Sequence, residues 1–203
     1  MGLVSGCHAG EERGASPTTV PPTPISDDDV CGVMSTDELN YVLGLELDYY
    51  VYSHSEVDPH GYEGRSGYTL SCATISGGDQ YGGLDIEYSP LPHIPPEPGF
   101  PDKMTFVDIP GTFEDAEPLS FEGHEGEGWE WSENTGTYIA WMYPDEQMLF
   151  VRLINRDDQQ ASPERRGQLR TLVAQILLDR VPAVAKGPSG RRMVPSPTPS
   201  PTP

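Results

Sequence analysis

The chain has 203 residues, 32 of them acidic against 12 basic, for a formal net charge of −20. Glycine and proline contribute 22 each and hydrophobic residues only 35%, a balance that sets ordered and disordered stretches side by side. No apolar run approaches the roughly 18 residues of a membrane-spanning helix, and a carboxylate-rich surface repels nucleic-acid phosphates, so no nucleic-acid contact is expected.

Leu3-Val4-Ser5-Gly6-Cys7 has the form that ends a bacterial lipoprotein signal. An apolar residue is followed by small ones, which let a signal peptidase reach the backbone, and then by the cysteine that is acylated. Residues 1–7 are read as the remnant of such a signal, with Cys7 as the lipidation site and the basic and apolar regions lying upstream or trimmed away. Residues 8–29 carry Ser16-Pro17-Thr18-Thr19 and Pro21-Pro22-Thr23-Pro24, a disordered tether too poor in apolar side chains to repay its own ordering. Residues 185–203, ending in alternating proline with serine or threonine, are read as a disordered tail on the same grounds. A folded domain over 30–184 remains, long enough for one core.

That domain opens with a helix. Ser35 and Glu38 have capping-box spacing, Met34 and Leu39 sit as a hydrophobic staple around it, and Gly44 offers a left-handed stop. The period then changes to two. Tyr68-Leu70-Cys72, Leu84-Ile86-Tyr88, Trp129-Trp131, Ile139-Trp141-Tyr143 and Met148–Ile154 read as strands, with Met104–Ile109 as a further one. Asn134-Thr135-Gly136 and Pro144-Asp145 supply turns. A closing helix starts at Ser162-Pro163 and repeats Leu169, Leu172, Val173, Ile176, Leu177 and Val181, with Pro182 ending it. Its other flank carries Arg165, Arg166, Arg170 and Arg180. Short turns favour antiparallel neighbours, so the expected fold is α+β: one antiparallel sheet of five to six strands, with an N-terminal and a C-terminal helix packed on one face.

The charge is divided. From Asp27 to Glu146 there are 26 acids against two bases, and from Arg152 to Arg192 nine bases against four acids. The simplest arrangement is an acidic body with a basic helix packed on it. A docking face for a basic partner is the functional alternative.

Three cysteines divide as one plus two. Cys31 precedes the first helix and Cys72 lies on the inward side of a strand, so a bridge between them would tie helix to sheet in an oxidising compartment. Two buried free thiols in a cytosolic protein are the alternative.

The chain resembles actinobacterial lipoproteins of the domain-of-unknown-function 3558 family. The resemblance is carried by Val4-Ser5-Gly6-Cys7, the proline- and threonine-rich tether, the segment Asp29-Val30-Cys31-Gly32-Val33-Met34-Ser35 running through Val42-Leu43-Gly44, and Ser71-Cys72. Ala73-Thr74 after the second cysteine and the C-terminal proline tail depart from the family pattern. The resemblance implies an exported, membrane-anchored domain on the extracytoplasmic face of the cell membrane, and no particular chemistry.

No phosphate-binding glycine loop, zinc motif or nucleophile elbow is present. His54, Asp58 and His60 are close in sequence, as are Glu122, His124, Glu125 and Glu127, but both clusters read better as solvated loops, and no metal or cofactor is expected. Asp115 with Glu117, or Glu130 with Glu133, would be the carboxylate pair of a cell-wall or glycan enzyme, the main alternative function. Trp129, Trp131, Trp141 and Tyr143 form either core or an exposed aromatic platform for a ligand. The expectation is therefore a monomeric, non-catalytic binding domain, tethered to the membrane through Cys7 and meeting an envelope protein or small ligand. A cytosolic acidic mimic of nucleic acid is the third reading, tied to Met1 being the true start.

Overall fold

The structure, a computed structural model, describes residues 29–45, 47–76, 83–133, 136–154 and 162–195. Cys7, the tether up to residue 28 and the tail from residue 196 lie outside them.

A small hairpin, β1 (Asp29–Val30) and β2 (Met34–Ser35), leads into α1 (Thr36–Leu43). Cys31 and Gly32 both take positive φ, 54° and 72°, and the Val33 amide closes on the Val30 carbonyl at 3.1 Å, the mirror-image turn that suits a two-residue hairpin. The capping box forms as its spacing indicates. The Glu38 amide donates to Ser35 Oγ at 3.1 Å, and the Ser35 amide donates to Glu38 Oε2 at 2.8 Å. Gly44, at φ 64°, ends the helix.

Among the described residues, the main sheet has eight antiparallel strands rather than five or six. They are β3 (Leu47–Glu56), β4 (Tyr68–Ser76), β5 (Gly83–Ser89), β6 (Glu117–Leu119), β7 (Glu127–Glu133), β8 (Gly136–Met142), β9 (Met148–Ile154) and β10 (Gly190–Pro195), in the order β10-β3-β4-β5-β9-β8-β7-β6. Three strands escape the sequence pattern. β3 hides inside a tyrosine run in which Tyr50, Tyr52 and His54 point inward. β6 is three residues long. β10 falls in the stretch expected to be tail, because backbone pairing with β3, not an apolar pattern, holds it. Conversely, Met104–Ile109 is no strand. Thr105 and Asp108 form a capping box there that starts a helical turn, Phe106–Asp108, and it runs on into α2 (Ile109–Thr112) with Pro110 at its start.

The closing helix runs as α3 (Pro163–Leu172), a π turn (Val173–Leu177) and α4 (Leu178–Ala185). It passes through Pro182 instead of stopping there. Helices α1, α3 and α4 all pack on one sheet face, over Leu70, Ile86, Ile139, Trp141, Val151 and their neighbours. The opposite face is treated unevenly. Over β7, β8 and β9 the long connection from Pro90 to Ala116 folds back and buries Trp131, Tyr138 and Phe150 beneath Phe100, Phe106 and Phe113. The expected single covered face therefore becomes one full layer of helices and half a layer of irregular chain.

Cys31 and Cys72 are bridged, with Cα atoms 5.9 Å apart, and both are buried. The bond fastens the β1–β2 turn and the start of α1 to the sheet. Arg180 of α4 closes the same corner. It donates to both Glu38 carboxylate oxygens, at 2.9 and 3.0 Å, and to the Val33 carbonyl. Hydrogen bonding from Arg180 holds the Glu38 carboxyl below its usual range.

Candidate functional site

The hairpin register decides the fate of the four aromatic platform candidates. Glu133 pairs with Gly136, so positions facing each other sum to an odd number and opposite parities share a face. Trp129 and Trp131 lie over Ala140 and Tyr138 on the side covered by the long connection, whereas Trp141 and Tyr143 point to the helices. Trp131 and Trp141 are fully buried in two different cores, Trp129 is half-buried, and Tyr143 is half-buried with its hydroxyl donating to the Leu178 carbonyl at 2.9 Å. The four side chains do not come together.

The two carboxylate pairs are also occupied. Glu130 is fully buried and receives both arms of the Arg170 guanidinium, which also reaches Glu117 at 3.2 Å. Asp115 accepts from Arg166 and from the Ser132 amide. The arginine flank of α3 is thus spent on the acids of β6, β7 and the segment before them, as in the body-and-basic-helix arrangement. Glu133 stays exposed and apart.

The histidine cluster is dispersed as well. Asp58 accepts from the His60 amide at 3.0 Å in a local turn, His60 is exposed, and His54 is turned into the protein. His124 faces Asp179 at 3.7 Å. Among the described residues, no group of three or more possible metal ligands converges.

The remaining polar concentration is on the half of the sheet that the described residues leave uncovered. One row across β10, β3, β4 and β5 presents Arg191, Ser53, Ser71 and Glu87, and the next brings Val51, Ala73 and Asp85 into line with Arg152 of β9. Small side chains keep this surface flat. Ser71 donates to Glu87 at 2.6 Å, and the hydroxyls of Ser55 and Thr69 lie 3.3 Å apart. Arg152 stands at the border with the covered half, 3.5 Å from Asp85 and 2.5 Å from Glu97 of the long connection.

No family model, curated protein or solved structure matches the chain.

The electrostatics of the border are those of carboxylates short of positive charge. Burial pushes Asp85 up to about 6; Arg152 opposes that rise and Glu97 adds to it. Burial also raises Glu87, against the hydrogen bond from Ser71. Asp85 and Glu87 are two residues apart on one strand face, hence about 7 Å apart at the backbone. A bound cation in front of them would relieve both. The pattern Leu84-Asp85-Ile86-Glu87-Tyr88 already places these acids on the polar side of a strand. It does not reveal that the connection carrying Glu97 would fold beside them and partly remove them from water.

Proposed function

We propose that this chain is an exported, lipid-anchored binding domain of the cell envelope, held through Cys7, whose uncovered sheet face takes a polar ligand or protein segment bearing positive charge. The observation that carries this reading is the buried Cys31–Cys72 bridge, a bond that persists in oxidising compartments. The lipoprotein-like Val4-Ser5-Gly6-Cys7 and its proline-rich spacer support the anchor, and the resemblance to the 3558 family rests on these together with the segment from Asp29 to Gly44 and Ser71-Cys72. The acidic body suits a surface held off anionic headgroups, leaving attachment to the lipid.

Binding is favoured over glycan hydrolysis by the placement of the acids. Asp85 and Glu87 sit side by side on one strand, not across a cleft, and no tryptophan shares their half of the face. The test is expression of the gene with its upstream codons, followed by membrane fractionation and intact-mass analysis of wild type and Cys7→Ser. Wild type is expected in the membrane fraction with a lipid mass increment and two hydrogens fewer than the reduced chain. Recovery of both proteins in the soluble fraction without added mass would overturn the proposal.

A further inference from the structure

His54 has an environment that its place on a strand does not require. It is only 2% exposed, its ring stacks on Tyr52 with centroids 5.9 Å apart and planes within 3°, and neither ring nitrogen makes a well-formed hydrogen bond. A buried imidazole without a well-formed hydrogen bond loses the interactions it would have in water. The structure gives it room in a specific way. His54 is the Cα partner of Gly190 on β10, and a Cβ at Gly190 would lie 2.7 Å from Nε2; one at Gly187 would lie 4.0 Å from Cε1. The ring therefore fills the space that Gly190 leaves, where the C-terminal strand joins the sheet.

The neighbouring groups offer little to a charged ring. From its own strand there are Tyr52 and, two residues on along the same face, the exposed Glu56 at the strand's end; from β4 there is the apolar Leu70, its Cα partner. From α4 there is the Ala185 carbonyl, followed by the exposed Lys186; from β10 there is Gly190, followed by the exposed Arg191. Among the described residues, burial and the Ala185 carbonyl are what act on the ring; burial dominates and disfavours the protonated form.

We propose that His54 is an acid-sensitive latch that holds the C-terminal strand β10 on the sheet. Protonating the ring in place puts an uncompensated charge between β3, β10 and the end of α4. The smallest opening that rehydrates it lifts β10, which pairs with β3 alone, and leaves the other seven strands in register. Opening frees the chain beyond Gly187 and bares the ten-residue edge of β3, an unpaired strand edge on which another extended chain can add.

The test is amide hydrogen exchange on the full chain at pH 7.5 and 5.0, corrected for intrinsic exchange, with wild type, His54→Phe and Gly190→Ala. In wild type the β10 amides are expected to lose at least about tenfold protection at pH 5.0 while β8 and β9 keep theirs. His54→Phe, which stacks but does not titrate, should hold β10 at both values. Gly190→Ala should loosen β10 already at pH 7.5. Unchanged β10 protection in wild type, an equal loss in His54→Phe, or loss only together with β8 and β9 would each overturn the latch. A proton titration of the His54 ring in wild type guards against a variant that fails to fold: a midpoint at or above the ordinary histidine value of about 6.5 rejects the proposal.

Discussion

The phenol of Tyr143 supplies the hydrogen bond that Pro182 cannot. Pro182 lies inside α4 and has no N–H to donate one turn back to the Leu178 carbonyl, and Tyr143 Oη donates to that carbonyl at 2.9 Å instead. A helix is thus carried past a proline by a side chain from the turn after β8. Burial raises the Tyr143 hydroxyl above the ordinary tyrosine range, so it remains a donor throughout the physiological pH range.

Tyr143→Phe should therefore cost about 1–2 kcal/mol, the loss of a hydrogen bond plus a carbonyl left unsatisfied. In a Pro182→Ala background, where a backbone N–H returns, the same substitution should cost less than half as much. Urea unfolding of the four proteins measures this; equal costs in the two backgrounds would show that the pair is not coupled.

Removing the disulfide has a larger effect. Cys31 and Cys72 are 41 residues apart, and the chain-entropy relation assigns about 4 kcal/mol to closing such a loop. Cys31→Ser with Cys72→Ser should lower the urea midpoint accordingly, and reduction of the wild type should reproduce the shift. A loss below about 1 kcal/mol would mean that Arg180 and the Glu38 capping box hold the α1 corner without it.

The buried pair Glu130–Arg170 should show strong non-additivity. Arg170→Met leaves a fully buried carboxylate with Arg166 as its remaining partner, 3.7 Å away, and should cost about 3 kcal/mol or more. Adding Glu130→Gln removes the stranded charge and should recover at least half of that. Thermal unfolding of the single and double variants decides it; a double variant no more stable than Arg170→Met would contradict the pairing.

Asp85 gives a pH dependence of opposite sign to that of a salt-bridged acid. Its carboxyl rises from 3.8 to about 6 on folding, so the folded state binds the proton more tightly than the unfolded one. The resulting penalty is complete above about pH 6, shrinks as pH falls, and vanishes below about pH 4. Asp85→Asn should therefore stabilise the protein at pH 7.5, by up to about 3 kcal/mol, and leave it unchanged near pH 3.5. Denaturant unfolding at the two pH values checks this. A variant less stable than wild type at pH 7.5 would mean that Arg152 outweighs the desolvation of Asp85.

Local signals carried well where the determinant was itself local. The Ser35–Glu38 box, the stop at Gly44 and the cap at Ser162 are each set by a few adjacent residues and appear as read. The period-two segments 68–72, 84–88 and 148–154 likewise became strands. β10 did not declare itself, since its pairing partner β3 lies over 130 residues away in the chain. The Met104–Ile109 error has the same origin in reverse: an apolar run is ambiguous between strand and helical turn until Asp108 is seen to cap Thr105.

The candidate site was less legible. Taking Asn134-Thr135-Gly136 as the turn sets Trp129 and Trp131 opposite Trp141 and Ile139, on one face. Pairing Glu133 with Gly136 shifts the register by one residue and sends them to opposite faces. A single residue in a turn thus separates an aromatic platform from two cores.

The amino-acid sequence by itself determined an acidic, antiparallel α+β body, its two main helices and the two cysteines placed to meet, because capping, periodicity and charge are written in neighbouring residues. Tertiary structure alone decided which acids are neutralised and which are left waiting. Arg166 and Arg170 reach Asp115, Glu117 and Glu130 across the helix–sheet interface, while Asp85 shares Arg152 with Glu97 and Glu87 receives a hydrogen bond from the Ser71 hydroxyl. Coulomb attraction and desolvation depend on distance and burial, and neither is set until the chain between Pro90 and Ala116 has folded over half the sheet.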